Sequence, residues 1–163
     1  MSKMTEVKAA ALSGAALRYA VAIACGFKVQ RIEEGDYNTG EAHWWMAYDE
    51  RRVTPTRNGL VGYIKPGAKG VTGIYDYCPD AAWSQGGPLI RHFKVGLVPL
   101  NVGLSNESAE AWVATAFFDG KSAERCGRGD GKTELVAVCR AIVRLILGDT
   151  IAVPSELLRD GEV

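Results

Sequence analysis

Residues 133–148 have the sequence TELVAVCRAIVRLILG, which predicts the clearest helix of the chain. Arg140 and Arg144 fall on one side of this helix, whereas its apolar residues recur at spacings of three and four. Thr133 is a typical N-cap, and Gly148 is typical of the position just after a helix. The apolar face comprises Leu135, Val138, Cys139, Ile142, Leu145 and Ile146. We therefore expect an amphipathic helix over residues 133–147 with this face buried.

A second helix is predicted over residues 14–25. Ser13 is placed to cap its start, and Gly26 is placed to end it in a left-handed conformation. Leu17 and Val21 form an apolar stripe among small alanines, which allow a helix to pack closely on a sheet.

The segments between the two helices predict strands, because they alternate apolar and polar residues or are rich in aromatic and β-branched residues. These segments are residues 27–32, 44–48, 60–64, 89–100 and 111–118. The order of helix, strands and helix predicts a single α+β domain over residues 1–163. In this domain we expect the two principal helices to pack on one face of a mainly antiparallel sheet.

The composition is that of an ordinary folded domain. The chain has 163 residues, of which 47% are hydrophobic and 23% are charged, which is enough apolar material to bury a core. The counts of basic and acidic residues are both 19, so the formal net charge is zero. This balance disfavours a strongly basic nucleic-acid binder and an acidic mimic of DNA.

The cysteines and histidines do not predict a metal site. The four cysteines are far apart in sequence, with no two-residue spacing, and only His43 and His92 are available to assist them. We therefore expect free thiols and no bound metal. Glu6 and Arg18 interrupt the apolar N-terminal stretch, so we expect neither a signal peptide nor a membrane-spanning segment there.

Residues 127–133, GRGDGKT, precede the last helix and look like a phosphate-binding loop. That motif requires a glycine where this chain has Cys126, and a buried strand where residues 119–125 are polar. A Walker-type NTPase is therefore disfavoured, and we predict a flexible basic loop over residues 121–132. Its cations and the helix N-terminus would attract anions weakly.

Residues 75–90, YDYCPDAAWSQGGPLI, combine aromatic, amide and glycine residues. We predict that Asp80 caps a single helical turn that reaches Trp83, and that residues 86–88 break this turn before a strand begins at Leu89. Trp83 offers a stacking surface and Gln85 an amide that donates and accepts hydrogen bonds. The predicted ligand site comprises Asp80, Trp83, Gln85, Gly86, Gly87, Arg91 and Lys132. The alternative is that a buried Trp83 merely pins a tight turn.

The 75–90 stretch resembles a motif of the phage NinX-like family, which comprises small proteins of tailed bacteriophages and prophages with no known function. Residues 12–26, 112–114, 131–141 and 148–157 resemble other parts of this family, in the same order. Residues 33–73 depart from the family pattern, which indicates an inserted segment or an elaborated hairpin. The resemblance implies a viral origin and a location in the host cytoplasm, but no established reaction.

No catalytic constellation is evident, since the sequence contains no Gly-x-Ser-x-Gly elbow and neither histidine marks a catalytic group. We therefore expect a non-catalytic accessory protein without a cofactor, which binds a small nucleotide-like or other anionic host molecule. One alternative is an adaptor or inhibitor that binds a host protein through Trp44, Trp45 and the 33–73 segment. A minor alternative is weak binding of nucleic acid through residues 121–132.

Overall fold

A computed structural model describes residues 3–32, 43–47, 60–64, 77–100, 111–117 and 125–158. The helices in these ranges are α1 (Gly14–Ala24), α2 (Trp83–His92) and α3 (Glu134–Leu147), and short 3-10 turns lie at Ala9–Ala11 and Ser155–Leu158. The strands are β1 (Met4–Lys8), β2 (Lys28–Ile32), β3 (His43–Ala47), β4 (Leu60–Ile64), β5 (Gly96–Leu100), β6 (Ala111–Phe117), β7 (Cys126–Gly131) and β8 (Thr150–Pro154).

The described strands form three small sheets, with the orders β1–β8, β2–β3–β4 and β5–β6–β7. Every strand pair in these sheets is antiparallel. Helix α3 lies on β6 and β7, and α1 contacts α3, β2 and β8. The predicted α+β fold with mainly antiparallel strands is therefore confirmed.

The core is formed where α1 meets α3. Leu17 and Val21 of α1 and Val138 and Ile142 of α3 are fully buried in one apolar cluster. Each such side chain contributes roughly 1.5–3 kcal/mol through its removal from water. The apolar stripes predicted from the sequence are thus the surfaces through which the two helices pack. No helix in the described ranges is long and apolar enough to cross a membrane.

The ends of α1 and α3 follow the predictions with one exception. The Thr133 hydroxyl accepts a hydrogen bond from the backbone N–H of Val136 at 3.3 Å, so it caps α3. Gly26 and Gly148 have φ values of +82° and +96°, a region that glycine occupies without strain. The predicted side-chain cap at Ser13 is wrong. Its carbonyl oxygen accepts a hydrogen bond from the N–H of Leu17 at 3.2 Å, but its hydroxyl caps nothing.

The predicted break at residues 86–88 is also wrong, because these residues lie inside α2. A Cβ atom added to Gly86 would lie 2.3 Å from the Pro79 carbonyl oxygen and 2.7 Å from Cδ2 of Leu135. The absence of a side chain therefore lets α2 lie directly against this turn and α3. This tertiary contact outweighs the low helix propensity of glycine and of Pro88. The strand predicted over 89–100 begins only at Gly96.

The predicted loop over 121–132 is wrong for residues 126–131, which form strand β7. The glycines of β7 alternate with exposed residues. Because glycine has no side chain, the backbone of the strand lies directly against α3. A Cβ atom added to Gly129 would lie 2.4 Å from the backbone nitrogen of Ala141. The guanidinium groups of Arg140 and Arg144 donate to the carbonyl oxygens of Asp130 and Arg128, at 2.8 and 2.9 Å. The glycines thus allow a strand and a helix to touch backbone to backbone. Residues 121–124 lie outside the described ranges.

Strand β1 was not expected from the sequence. It pairs with β8, the extended segment that follows the last helix, so that Met4 lies opposite Pro154. The N–H of Ser155 donates to the carbonyl oxygen of Lys3 at 2.8 Å and extends this pairing.

Two strands of the 33–73 segment are described, and both belong to one sheet. β3 pairs with β2, and β4 pairs with β3, so that Trp44 lies opposite Ile64 and Trp45 opposite Tyr63. The remainder of the segment lies outside the described ranges.

Candidate functional site

A buried ion pair joins the turn before α2 to α1. The backbone N–H groups of Ala81 and Ala82 both donate to the carbonyl oxygen of Cys78, at 3.0 and 2.8 Å. Asp80 extends from this turn towards α1, where its Oδ1 lies 2.7 Å from Nε of Arg18. The predicted capping role of Asp80 is therefore wrong, because its carboxylate anchors the turn to α1. The residue at the N-cap position is Ala82.

Gln85 and Gly86 also hold this turn in place. Oε1 of Gln85 accepts a hydrogen bond from the N–H of Cys78 at 2.7 Å. Gly86 is buried, and its Cα lies against the turn and against α3. Both residues therefore have a structural task, and their ligand role remains a prediction.

Trp83 is the first residue of α2, and 56% of it is exposed to solvent. The alternative in which a buried Trp83 pins a tight turn is thus wrong. A Cβ atom added to Gly87 would lie 4.0 Å from Cε3 of Trp83, so Gly87 lies beside the indole ring without crowding it. An exposed aromatic ring at a fixed helix terminus is available to stack on a planar group.

The N-terminus of α2 has no side-chain cap and no acidic residue in its first turn. Within the described ranges, the backbone N–H groups of Trp83 and Ser84 donate to no protein acceptor. Since the positive end of the helix dipole also lies here, the terminus favours a negatively charged group.

The two predicted cations, Arg91 and Lys132, lie on different elements. Gly86 in the first half of α2 contacts Leu135 in the first turn of α3. Lys132 is exposed and lies three residues before Leu135 in sequence. Arg91 lies in the last turn of α2, eight residues after Trp83 and hence about 12 Å along the helix axis. Arg91 is thus separated from the start of α2, and the part of Lys132 in the site remains a prediction.

Three of the four cysteines are buried near this turn, and none of the four forms a disulfide. Burial raises the pKa of the Cys139 thiol well above its usual value, and the neighbouring Asp80 carboxylate raises it further. Burial also raises the pKa of Tyr77, with a smaller effect from Cys25. Both groups are thus held in the neutral form at physiological pH, which makes Cys139 a poor nucleophile. No group of three potential metal ligands occurs in the described ranges.

Arg18 is the residue of this region that the sequence interpretation missed. A charged residue in the middle of an alanine-rich apolar helix was a usable signal, because a buried charge needs a partner. The partner, Asp80, lies 62 residues away, and nothing in the sequence connects the two. The side chains of Trp44 and Trp45, predicted to bind a partner protein, lie outside the described part of the structure.

One protein family, described as "Bacteriophage P22, NinX", has a model that matches residues 8–145 of the chain. The match spans α1, the turn with its ion pair, α2 and most of α3. No curated protein matches the sequence.

Proposed function

The chain belongs to the bacteriophage P22 NinX family, and we propose that it is a non-catalytic accessory protein of the phage. In this proposal it acts in the host cytoplasm, where it binds and sequesters a small nucleotide-like or other anionic host molecule. The observation that carries the proposal is the exposed Trp83 at the uncapped N-terminus of α2.

The indole of Trp83 supplies the recognition of a planar ring. Stacking of a nucleobase on an aromatic side chain contributes about 1–3 kcal/mol. Because Trp83 already lies on the surface, a ligand does not have to displace core residues to reach it.

The start of α2 supplies the recognition of an anionic group. The N–H groups of Trp83 and Ser84 accommodate a phosphate or carboxylate oxygen, as the free N–H groups of other helix termini do. In this proposal Lys132, an exposed cation just before α3, adds a positive charge. The ring and the anion would then be held by adjacent parts of one helical turn.

The surrounding contacts support a site that exists before the ligand arrives. The Arg18–Asp80 pair fixes the preceding turn, and Gln85 holds the N–H of Cys78. A fixed site binds a ligand without the entropic cost of ordering a loop.

The proposal is tested by mass spectrometry of the small molecules released when the purified protein is denatured. We expect the wild type to release a nucleotide-like compound in stoichiometric amount, and Trp83→Ala to release at least about tenfold less. The free energy of unfolding of Trp83→Ala should stay within about 0.5 kcal/mol of wild type, because the side chain is exposed. Met4→Ala removes another exposed apolar side chain and is the control that should retain the ligand.

Equal release from the wild type and from Trp83→Ala would contradict this site. Lys132→Ala provides a second check, since loss of a cation should weaken binding and reduce its dependence on salt.

A second candidate function is an adaptor or inhibitor that binds a host protein through Trp44, Trp45 and the 33–73 segment. The observation in its favour is that β3, which carries both tryptophans, lies in register with Tyr63 and Ile64 of β4. A host protein that co-purifies with the wild type, and is lost on deletion of the 33–73 segment but not in Trp83→Ala, would favour this candidate.

A further inference from the structure

The sheet β5–β6–β7 has two faces with different surroundings. One face packs on α3 and contributes Leu97, Trp112 and Ala114 to the core or its edge. Residues directly opposite each other in antiparallel strands point to the same face. The second face, called here the outer face, therefore contains Gly96, Val98 and Leu100 of β5, Ala111, Val113, Thr115 and Phe117 of β6, and Cys126, Arg128 and Asp130 of β7.

Apolar side chains make up much of the outer face, where a solvated sheet face is usually polar. Val98 and Leu100 of β5 are 59% and 39% exposed, whereas Val113 on the central strand is only 9% exposed. Val98 and Leu100 thus give the outer face a small exposed apolar surface that a partner could cover.

The edges of the same sheet are less suited to pairing with another strand. The carbonyl oxygens of Arg128 and Asp130 in β7 already accept hydrogen bonds from Arg144 and Arg140. Strand β5 contains Pro99, which lacks an N–H group. A partner is therefore expected to pack on the outer face rather than to add a strand.

Charge indicates which partner the outer face fits. Arg128 and Asp130 are exposed, lie two residues apart on β7 and form no ion pair within the described ranges. We consider two copies that pack outer face to outer face, with a two-fold axis that runs perpendicular to the strands, midway between Arg128 and Asp130. This axis places Arg128 of one copy against Asp130 of the other, twice per dimer. The formal net charge of zero removes long-range repulsion between copies.

The same axis also matches large residues with small ones. It places Val98 of one copy over Gly96 of the other, where no atom lies within 4 Å of an added Cβ. It also places Phe117 over Ala111, because these residues are equally distant from the axis along β6. The outer face is thus complementary to itself in both charge and shape.

We propose that the outer face is a self-association surface, through which two copies of the chain form a two-fold symmetric dimer. A three-stranded face of this length measures about 10 by 20 Å. That area is well below the roughly 800 Å² per partner of a standard interface, so the dimer is weak and reversible.

The test uses opposite charge reversals on β7 and sedimentation velocity, over about 10 µM to 1 mM protein. A reductant is included so that the exposed Cys126 cannot cross-link copies. The wild type should shift from 17.5 kDa towards twice that mass as its concentration rises. Arg128→Glu and Asp130→Lys should each weaken association by about tenfold or more, since each creates two like-charge contacts per dimer.

The decisive sample is an equimolar mixture of Arg128→Glu and Asp130→Lys. In the mixed dimer both contacts are again between opposite charges, so association should return to near the wild-type level. Lys8→Glu reverses an exposed charge on β1 and should associate like the wild type. A wild type that stays monomeric up to the highest concentration would overturn the proposal. It would also be overturned by single variants that associate normally, or by a mixture that does not regain association.

Discussion

Arg18 of α1 and Asp80 of the turn before α2 form an ion pair that is almost completely withdrawn from solvent. Nε of Arg18 lies 2.7 Å from Oδ1 of Asp80, and the two side chains are only 5% and 8% exposed. The pair links two segments 62 residues apart in sequence. Removal of either member would leave the other as a buried charge without its counter-ion.

We therefore expect Asp80→Ala to lower the free energy of unfolding by about 3–5 kcal/mol, as measured by urea denaturation. The matched control is Asp149→Ala, which removes a carboxylate that also lies 2.8 Å from an arginine, Arg144, but is 79% exposed. Such a surface pair contributes less than about 1 kcal/mol. Equal losses in the two variants would show that burial of the Arg18–Asp80 pair has no energetic consequence.

Two adjacent glycines of α2 should respond in opposite ways to the same substitution. Gly86→Ala places a Cβ 2.3 Å from the Pro79 carbonyl oxygen, so α2 must move away from the turn, and we expect a loss of several kcal/mol. Gly87→Ala meets only the edge of Trp83 at 4.0 Å and should be neutral or stabilising by up to about 1 kcal/mol, because alanine favours helix. Thermal unfolding of both variants measures the difference. A tolerated Gly86→Ala would mean that α2 does not pack as closely as described.

Gln85→Ala should lower the free energy of unfolding by about 1–3 kcal/mol. The substitution removes the oxygen that accepts a hydrogen bond from the N–H of the buried Cys78. Ser84→Ala alters the neighbouring exposed position and should change stability by less than about 0.5 kcal/mol. If Gln85→Ala proves as stable as Ser84→Ala, the Gln85 amide makes no net contribution to the free energy of unfolding, and its role in holding the turn would be contradicted.

The four thiols should differ sharply in reactivity. Cys126 is exposed, whereas Cys25, Cys78 and Cys139 are buried, and burial raises the pKa of Cys139 so that its thiol stays protonated near neutral pH. We expect one thiol of the native protein to react rapidly with a disulfide reagent and all four to react after denaturation without reductant. Cys126→Ser should abolish the rapid phase. Two or more rapid thiols in the native protein would contradict the described burial.

The parts of the fold that local sequence determines were predicted. The boundaries of α3 follow from the Thr133 cap and Gly148, and its buried face follows from its own apolar spacing. The same reasoning located α1 and strands β2, β4 and β6, since each has its own periodicity.

The errors arise where the reason for a residue lies in another segment. The glycines of β7 are typical of a loop in the sequence, but in the structure they allow α3 to pack against the strand. Gly86 is typical of a helix break, but in the structure it allows α2 to pack against Pro79 and Leu135. Strand β1 has few apolar residues of its own and depends on β8. At the candidate site, the sequence did not indicate the partner of Asp80, because Arg18 lies 62 residues away and is brought there by tertiary packing. The partner of Gln85 is the N–H of Cys78 in the preceding turn, and this contact depends on the helix that the sequence interpretation broke at residues 86–88.

The close contact between β7 and α3 has a consequence for the order of folding. Only Lys132 and Thr133 separate the two elements, so their contact closes a very short loop at little entropic cost. The contact between β1 and β8 joins residues as far apart in the sequence as Met4 and Pro154. We therefore expect the β7–α3 unit to form early and the β1–β8 pair to form late. Destabilising substitutions in the first should then slow folding, whereas those in the second should mainly accelerate unfolding.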